Sequence, residues 1–243
     1  MHASTMWRSA ARTDTGKVRA RNEDAILDCP QHRLWAVADG MGGHRAGHIA
    51  SQMIVTSLAQ LPAPLGFDEQ LESVRQCLHW LNRRMSQDLT QCDQAERPIM
   101  GSTVVALLQE GKRAACVWAG DSRCYLWREQ RLYQLTRDHS LQQQLMDEQH
   151  MSCEQAQAHP GARALTQAVG CGEHLSLGVL EFEVQPEDVL LLCSDGVYQN
   201  LNHIELGNAL SLRSPQMALA QLFNGVLQGP ARDNLSAVVI RHG

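Results

Sequence analysis

Five aspartates of this chain stand beside short apolar runs, at points where a buried strand would leave the protein interior. They are Asp24, Asp39, Asp121, Asp195 and Asp233. An apolar run bounded by turn residues predicts a buried strand, so each carboxylate is expected at a strand margin. If the strands stack in sheets, margins that are far apart in sequence can meet. The pattern therefore predicts a cluster of carboxylates at one edge of the fold.

The segment after the apolar run 34–38 can add a backbone oxygen to this cluster. Asp39 is followed directly by Gly40, and further glycines occupy positions 42 and 43. Glycine lets the backbone turn tightly, so a carbonyl and a carboxylate can face one point. Such oxygen donors suit a hard cation such as Mg²⁺ or Mn²⁺. Alone, Asp39-Gly40 favours an ordinary turn, and only its repetition elsewhere favours a metal site.

The bulk composition excludes several classes of protein. The chain has 243 residues, of which 44% are hydrophobic and 19% charged, an ordinary balance for a globular protein. Its net charge of −5 gives no reason to expect nucleic acid as a partner. No apolar stretch approaches the roughly 20 residues of a membrane span, and residues 1–11 lack a secretory pattern. A soluble cytoplasmic protein is predicted.

The eight cysteines are scattered and form no Cys-x-x-Cys pair, so a zinc knuckle is disfavoured. Cys116 and Cys193 lie inside apolar strand patterns, and buried, inert thiols are the expected state of the cysteines in general. A secreted disulfide scaffold of this size is disfavoured. Cys77 and Arg83 have the spacing of a cysteine-phosphatase loop, but they lie within a predicted helix without glycines, so we discount that chemistry.

Hydrophobic periodicity gives a coarse map of the elements. Helices are predicted over 45–60, 68–89, 138–149, 203–212 and 216–227. Strands are predicted over 103–108, 113–119, 123–127, 132–135, 177–184, 189–193 and 235–240. Asp68 and Asp138 are the expected N-caps of two helices, residues 13–21 form a turn beside an edge strand, and residues 91–97 form a polar connection. Short connections between strands indicate antiparallel pairing, and paired helices need a sheet beneath them.

Several short motifs, taken in order, resemble those of a known family, the metal-dependent PPM/PP2C-type protein serine/threonine phosphatases in their bacterial form. The motifs are Thr15-Gly16-Lys17-Val18-Arg19, Asn22-Glu23-Asp24, Asp39-Gly40-Met41-Gly42-Gly43, Met100-Gly101-Ser102-Thr103, Gly120-Asp121-Ser122-Arg123, Leu135-Thr136-Arg137-Asp138-His139-Ser140, Ser194-Asp195-Gly196 and Asp233-Asn234-Leu235-Ser236. Each motif is weak singly, but the ordered set is specific and covers about residues 13–240.

The resemblance implies an α+β fold, a four-layer αββα sandwich in which two antiparallel β-sheets are flanked by helix pairs. It also implies a small flap beside the cleft, about residues 141–165, that helps to choose substrates. A mobile surface excursion without a specific role is the alternative for this segment. With no internal repeat and no Ser/Gly-rich linker, residues 1–243 are expected to form a single phosphatase domain.

The resemblance also assigns a ligand set for two Mn²⁺ or Mg²⁺ ions and for a third, weaker one. Asp39 bridges the two ions and the Gly40 carbonyl binds one of them. Asp195 and Asp233 complete one shell, Glu23 and Asp24 lie near the other ion and act partly through waters, and Asp121 with Asp195 holds the third. A pair of such ions can activate a water for attack on phosphorus.

Arg19 is expected to grip the substrate phosphate, because a guanidinium fork suits phosphate oxygens. Asp39 and Arg19 are thus the predicted catalytic residues, and Arg21 competes for the role of Arg19. Met41 stands where some relatives have a histidine that could protonate the leaving alkoxide. A solvent proton is favoured for that step over His44.

Two further departures concern the surroundings of the site. The family often has an acidic residue where His48 stands and asparagine where Arg163 stands, so details around the helix and the flap are open. Asp138, His139 and Ser140 do not indicate a hydrolase triad, because the chain has no Gly-x-Ser-x-Gly elbow. Helix capping explains that cluster better.

The expected function is hydrolysis of phosphoserine and phosphothreonine in proteins, reversing a bacterial Ser/Thr kinase of the eukaryotic-like type. The expected partners are therefore a phosphorylated protein and its kinase. A phosphopeptide-binding scaffold with a dead or weak site and a small-molecule phosphomonoesterase are the alternatives. The intact carboxylate set argues against the scaffold.

Overall fold

The structure is a computed structural model that describes residues 7–42, 46–62, 66–88 and 100–242. The predicted connection at 91–97 and the role considered for His44 therefore lie outside the described residues. The strands are β1 (Arg8–Asp14), β2 (Asp24–Cys29), β3 (Leu34–Met41), β4 (Gly101–Ser102), β5 (Val104–Glu110), β6 (Arg113–Ala119), β7 (Arg123–Arg128), β8 (Arg131–Gln134), β9 (Gly178–Glu183), β10 (Val189–Cys193) and β11 (Leu235–Arg241). The helices are α1 (Ala46–Ala59), α2 (Phe67–Asp88), α3 (Leu141–Glu148), α4 (Cys153–Gln157), α5 (Asp195–Tyr198), α6 (His203–Leu210) and α7 (Pro215–Gln228).

The strands form two antiparallel sheets. One sheet has the order β1-β11-β10-β7-β8, and the other has the order β2-β3-β5-β6-β9 with β4 paired to β3. The helices α1 and α2 contact the second sheet, whereas α6 and α7 contact the first. The predicted α+β fold with two antiparallel sheets is confirmed.

Three apolar clusters separate four layers. One cluster lies between α1, α2 and the six-stranded sheet, and a second lies between α5–α7 and the five-stranded sheet. The third lies between the two sheets and is built around Trp35, Leu107 and Leu190. The predicted sandwich of two sheets flanked by helices therefore describes the fold.

Successive side chains of the central strands point to opposite faces of the sheet, so one strand contributes to two apolar clusters. In β3, Leu34, Ala36 and Ala38 face the helices, while Trp35 and Val37 face the other sheet. The strand is buried on both faces, so its sequence is a continuous apolar run rather than an alternating one. In β10 the run Val189–Cys193 divides between two clusters in the same way.

The predicted N-caps Asp68 and Asp138 are wrong, because each of these aspartates forms an ion pair with an arginine of another element. Asp68 lies inside α2, and its carboxylate accepts from Arg113 at 2.8 Å. Asp138 pairs with Arg123 at 2.6 Å, and Ser140 caps α3 by accepting from the Gln143 amide. A local capping pattern cannot reveal such partners.

Four elements were not predicted from the sequence, and the two-residue strand β4 is the shortest of them. The strand β1 is polar and half-exposed, and its pairing with β11 rather than its own apolar content holds it in place. The short helix α4 carries a capping box between Ser152 and Gln155. The helix α5 begins at Asp195, where we expected only a strand margin.

The cysteines follow their expected state only in part. All seven described cysteines are free, and Cys116 and Cys193 are buried as predicted, but Cys153 and Cys171 are exposed. Cys77 lies in α2, where burial raises the pKa of its thiol to about 11. A protonated thiol in a helix agrees with discounting cysteine-phosphatase chemistry. None of the described helices combines the length and apolar composition that crossing a bilayer requires.

Candidate active site

A cleft of about 640 Å³ brings most of the predicted site residues together. Its lining includes Arg19, Glu23, Asp39, Gly40, Asp121, Asp195 and Asp233. Asp24 lies beside the cleft, directly opposite Asp39 in the β2–β3 register. Residues from both sheets meet here, as the strand margins in the sequence led us to expect.

The backbone of Asp39 is held by the segment that joins β4 to β5. The Asp39 carbonyl accepts from the Thr103 amide and from Ser102 Oγ, both at 2.9 Å. The Asp39 amide donates to Thr103 Oγ1 at 3.2 Å, and that hydroxyl shares a hydrogen bond with Ser122 Oγ at 2.7 Å. The position of the Asp39 carboxylate in the cleft is therefore fixed by backbone and hydroxyl groups. No described residue makes a hydrogen bond to its side-chain oxygens, which are thus available for a ligand.

Gly40 allows α1 to approach β3 closely. A Cβ at Gly40 would collide with the backbone of Gly47, and a Cβ at Gly47 would meet Gly40 at 2.8 Å. The Gly40 amide donates to the Glu23 carbonyl at 3.2 Å. Any larger residue at either position would push the start of α1 away from the cleft.

A serine pair links Asp24 to the opposite sheet. Ser194 Oγ donates to Asp24 Oδ2 at 2.8 Å and accepts from the Ser236 amide at 3.0 Å. Asp24 is almost fully buried, and its second oxygen, Oδ1, has no hydrogen-bond partner among the described residues. Buried polar atoms normally have a partner, so this oxygen is available to a cation.

Asn234 ties three segments of the site together. Its Oδ1 accepts from the Glu23 amide at 2.8 Å, and its Nδ2 donates to the Thr15 and Arg21 carbonyls at 3.0 Å each. The Asn234 amide also donates to Asp233 Oδ1 at 2.9 Å. The side chain is 6% exposed. It therefore fixes the loop that carries Arg19 relative to the acidic cluster.

Arg19 reaches into the cleft from the loop between β1 and β2. Its Nη2 donates to Asp233 Oδ2 at 2.8 Å, and its side chain is 56% exposed. The hydrogen bond to Asp233 and its charge raise the pKa of the guanidinium further, with Asp195 and Asp39 adding to the attraction. Arg21 and Arg163 also line the cleft.

Burial and mutual repulsion raise the pKa values of the clustered carboxyls. Burial, with the charges of Asp195 and Asp233, raises the pKa of Asp24 to about 7. Burial and then Asp24 hold the pKa of Asp39 well above its usual range. The pKa of Asp121 rises to about 7 and that of Asp195 to about 6, again chiefly through burial. Acids arranged in this way hold either protons or cations.

The donor set fits divalent ions of the Mg²⁺ type. Its atoms are carboxylate oxygens, one of them unpartnered, and such ions prefer oxygen and retain waters. Among the described residues, no group of three or more His, Cys, Asp or Glu side chains is arranged so that it could hold a metal ion by itself. A cluster of this kind suits ions that keep water and backbone oxygens among their ligands. It does not suit ions that side chains alone must surround.

Comparison with known proteins decides the family. Residues 16–238 match the family described as protein phosphatase 2C. The chain belongs to that family. Protein phosphatase 2C enzymes are metal-dependent and use Mn²⁺ or Mg²⁺, in agreement with the donor set.

Three similar proteins illustrate the family relationship. The serine/threonine protein phosphatase PstP of Mycobacterium tuberculosis is 34% identical over 232 residues, which is 96% of this chain. The structure of PppA, a key regulatory component of T6SS in Pseudomonas aeruginosa, is 39% identical with a TM-score of 0.90, covering 98% of this chain and 99% of PppA. The catalytic domain of PstP, in complex with two manganese ions, is 32% identical with a TM-score of 0.84, covering 97% of each chain. The chain spans 44% of the length of the full PstP protein.

The other motif residues have structural partners in this member of the family. His139 stacks on Trp118 with ring centroids 5.9 Å apart, Asp138 is occupied by Arg123, and Ser140 caps α3. These three residues therefore do not form a hydrolase triad. Met41 lines the cleft, and its Sδ contacts Cys171 Sγ at 3.7 Å.

The departures from the family pattern have different surroundings. His48 lies in α1, and its Nδ1 is buried without a hydrogen-bond partner among the described residues. Arg163 lines the cleft and also a neighbouring cavity of about 450 Å³. His48 does not line the cleft. Arg163 does, and it adds a positive charge to the cleft.

Sequence reasoning named Ser194 and Asn234 within motifs but gave them no role. Both act through hydrogen bonds to residues more than 150 positions away. The available signal was their position next to Asp195 and Asp233, at the strand margins where the segments of the site meet. Only the folded arrangement identifies their partners.

Proposed function

We propose that this chain is a metal-dependent phosphatase that removes phosphate from phosphoserine and phosphothreonine in proteins. The observation that carries the proposal is the meeting of Arg19 with Asp39, Asp195 and Asp233 in one cleft. A cation-binding acidic cluster beside a guanidinium is the arrangement that phosphate-ester hydrolysis needs. Neither the scaffold nor the small-molecule phosphomonoesterase is favoured by the family or by the names of the relatives.

The proposed roles of the acidic residues are those that the family resemblance implies. Asp39 would serve both ions, and the Gly40 carbonyl would serve one of them. Asp195 and Asp233 would hold one ion, while Glu23 and Asp24 would lie nearer the other. This division is supported by the cross-strand pairing of Asp24 with Asp39 and by the common cleft of the others. When bound, the ions supply charge neutralisation at phosphorus and a lowered pKa of water.

Asp121 and Asp195 form the proposed third, weaker site. Repulsion from Asp195 is the second cause, after burial, that raises the pKa of Asp121. The two carboxyls therefore lie close enough to interact, and a cation between them would relieve the repulsion.

Arg19 orients the substrate. Its guanidinium has five donors in a planar fork, of which one Nη2 contact is taken by Asp233. The remaining donors can hold two phosphoryl oxygens and turn the ester toward the cleft floor. Asp233 thus holds the guanidinium through Nη2, and the other donors of the fork meet the phosphate.

The proposal also covers the physiological partners of this chain. We propose that the substrate is phosphorylated by a bacterial Ser/Thr kinase and that this chain reverses that modification. The description of PppA as a regulatory component of T6SS supports a role beside a secretion or cell-envelope system. Cytoplasmic location and the assignment of residues 1–243 to a single domain, with a flap at about 141–165, remain predictions from the sequence.

The test is phosphate release from a phosphothreonine peptide in the presence of Mn²⁺. We expect turnover that a chelator abolishes and that Asp39→Asn reduces on the order of a thousandfold, the scale of losing a major electrostatic contributor. Circular dichroism of the variant should remain that of the wild type, which would show that the fold is preserved.

A matched control distinguishes the loss of a site residue from the general loss of one negative charge. Asp68→Asn removes an exposed carboxylate that is absent from the cleft lining, and it should leave turnover unchanged. Peptide binding without phosphate release by the wild type would support the scaffold instead. Faster turnover of sugar phosphates than of phosphopeptides would support the small-molecule enzyme.

A further inference from the structure

The edge of the cleft carries more positive charge than one phosphate needs. Arg19, Arg21 and Arg163 all line it. Arg19 is paired with Asp233. Within residues 7–42, 46–62, 66–88 and 100–242, neither Arg21 nor Arg163 makes a side-chain hydrogen bond or an ion pair. Two arginines without a side-chain partner among the described residues therefore line the cleft.

Both arginines stand on backbone that is fixed by hydrogen bonds. The Arg21 carbonyl accepts from Asn234 Nδ2 at 3.0 Å. The residues on either side of Arg163 are bound to the start of α3, because the Ala162 and Ala164 carbonyls accept from the amides of Gln142 and Leu141 at 2.9 and 2.8 Å. The guanidinium groups are thus carried by anchored segments, one on the β1–β2 loop and one in the flap.

Arg163 also marks the place where the cleft continues. The neighbouring cavity shares Asp121 and Arg163 with the cleft. Its other walls carry the amides of Gln142 and Gln157 from the flap and of Gln199 from the end of α5. A peptide chain with its phosphate in the cleft can place a neighbouring side chain past Arg163.

The charges around Arg163 leave it free to meet an anion. Asp138, which lines the same cavity, is held by two hydrogen bonds from Arg123, at 2.8 and 2.6 Å. The charge of Arg163 lowers the pKa of Asp195, after burial and Asp233 have raised it. The geometry nevertheless gives Arg163 no direct ion pair among the described residues, so its fork can bind a substrate group.

We propose that Arg21 and Arg163 recognise acidic side chains that flank the phosphorylated residue of the substrate. The proposal rests on the proposed phosphatase function. A guanidinium fork binds a carboxylate through two parallel hydrogen bonds, and basic side chains at the same positions would be repelled. The preferred substrates are therefore phosphoproteins with Asp or Glu near the phosphorylated serine or threonine.

The test compares phosphothreonine peptides that differ only in flanking residues. Each peptide carries Asp, its neutral isostere Asn, or Lys on one side of phosphothreonine or on the other. The wild-type holoenzyme should give a higher kcat/KM on the Asp peptides than on the Asn peptides, and a lower one on the Lys peptides. The preference should shrink as salt is raised, because exposed charges are screened.

Variants locate the preference. Arg21→Gln and Arg163→Gln should each reduce the Asp/Asn ratio about three- to fivefold, the scale of a partly exposed ion pair. Each should act on one side of the phosphothreonine, and the double variant should combine the two effects. Arg83→Gln removes an exposed arginine of α2 that is absent from the cleft lining, and it should leave the ratio unchanged.

The possible outcomes separate this inference from the function on which it rests. No phosphate release from any peptide by the wild type would overturn the phosphatase proposal and the recognition with it. Normal turnover with equal rates on Asp and Asn peptides would overturn the recognition alone. An Arg21→Gln variant that slows all peptides equally would place Arg21 in the phosphate grip and contradict its selective role.

Discussion

The carboxylates at the bottom of the cleft and the arginines at its edge are built in opposite ways. We call Asp24, Asp39, Asp195 and Asp233 the floor, and we call Arg19, Arg21 and Arg163 the rim. The floor residues stand on strands or within two residues of one, in both sheets. The rim residues stand on the β1–β2 loop and on the flap.

The difference extends to what holds each group. The floor is fixed by hydrogen bonds with Ser194, Thr103 and Asn234. Ser194 donates to Asp24, Thr103 Oγ1 accepts from the Asp39 amide, and Asn234 donates to its neighbour Asp233 while it accepts from the distant Glu23 amide. The rim is exposed, and Arg19–Asp233 is its one ion pair among the described residues. A fixed floor keeps like charges together despite their repulsion. This suits the hydrolytic step, which is the same for every substrate. An exposed rim can change between relatives without disturbing the fold, which suits substrate choice.

The largest expected combined effect on stability and turnover comes from removing the side chain that links floor and rim. Asn234→Ala leaves the Glu23 amide and two loop carbonyls without their partner, and each buried group left unpaired costs about 1–3 kcal/mol. We expect a loss of roughly 3 kcal/mol in the free energy of unfolding. Turnover should fall about a hundredfold, because Arg19 and Asp233 lose their relative position. Denaturant unfolding and phosphopeptide kinetics measure both.

Asn208→Ala is the matched control for this change. Asn208 is exposed in α6 and absent from the cleft lining, so its replacement should alter neither quantity. Wild-type stability and turnover in Asn234→Ala would mean that floor and rim are positioned independently.

The clustering of the floor could be largely predicted from the sequence, whereas of the rim only Arg19 was expected at the site, through the family resemblance. Apolar runs that end in Asp39 or Asp195 show a strand margin directly, because burial on both faces leaves a continuous apolar signature. The sandwich itself follows from the same runs and the family resemblance. The partners of Asp68 and Asp138 were misjudged because a cap is a local pattern, while their arginines come from other elements. Arg21 was considered only as a competitor of Arg19 and Arg163 only as a departure from the family pattern, since an exposed arginine looks the same in the sequence whether it faces solvent or a cleft.

The pH dependence of stability probes the repulsion within the floor. The folded pKa of Asp24 is raised from 3.8 to about 7, so between these values the folded protein binds more protons than the unfolded chain. The stability that this proton contributes is present at low pH and is lost as the pH rises through about 7. In chelator, the metal-free protein should therefore melt about 4–8 °C higher at pH 5.5 than at pH 8, which corresponds to about 2 kcal/mol.

Asp24→Asn supplies the comparison for this prediction. The variant lacks the titrating group and should melt at more similar temperatures at the two pH values. Saturating Mn²⁺ should raise the melting temperature of the wild type at pH 8, because cations relieve the repulsion among the carboxylates. Metal-free wild type that melts higher at pH 8 than at pH 5.5 would contradict the raised pKa values.

The smallest effect is expected at the rim, where Arg19→Lys keeps the charge but removes the planar fork. A lysine presents a point charge and cannot bind two phosphoryl oxygens while it also contacts Asp233. We expect kcat/KM to fall about tenfold, which is about 1.4 kcal/mol. Stability should change by less than about 0.5 kcal/mol, because the Arg19–Asp233 pair is largely exposed and such pairs contribute little. Arg83→Lys controls for the chemistry of the substitution. A stability loss above about 1.5 kcal/mol with normal turnover would assign Arg19 to the fixed floor, since exposed pairs do not contribute so much.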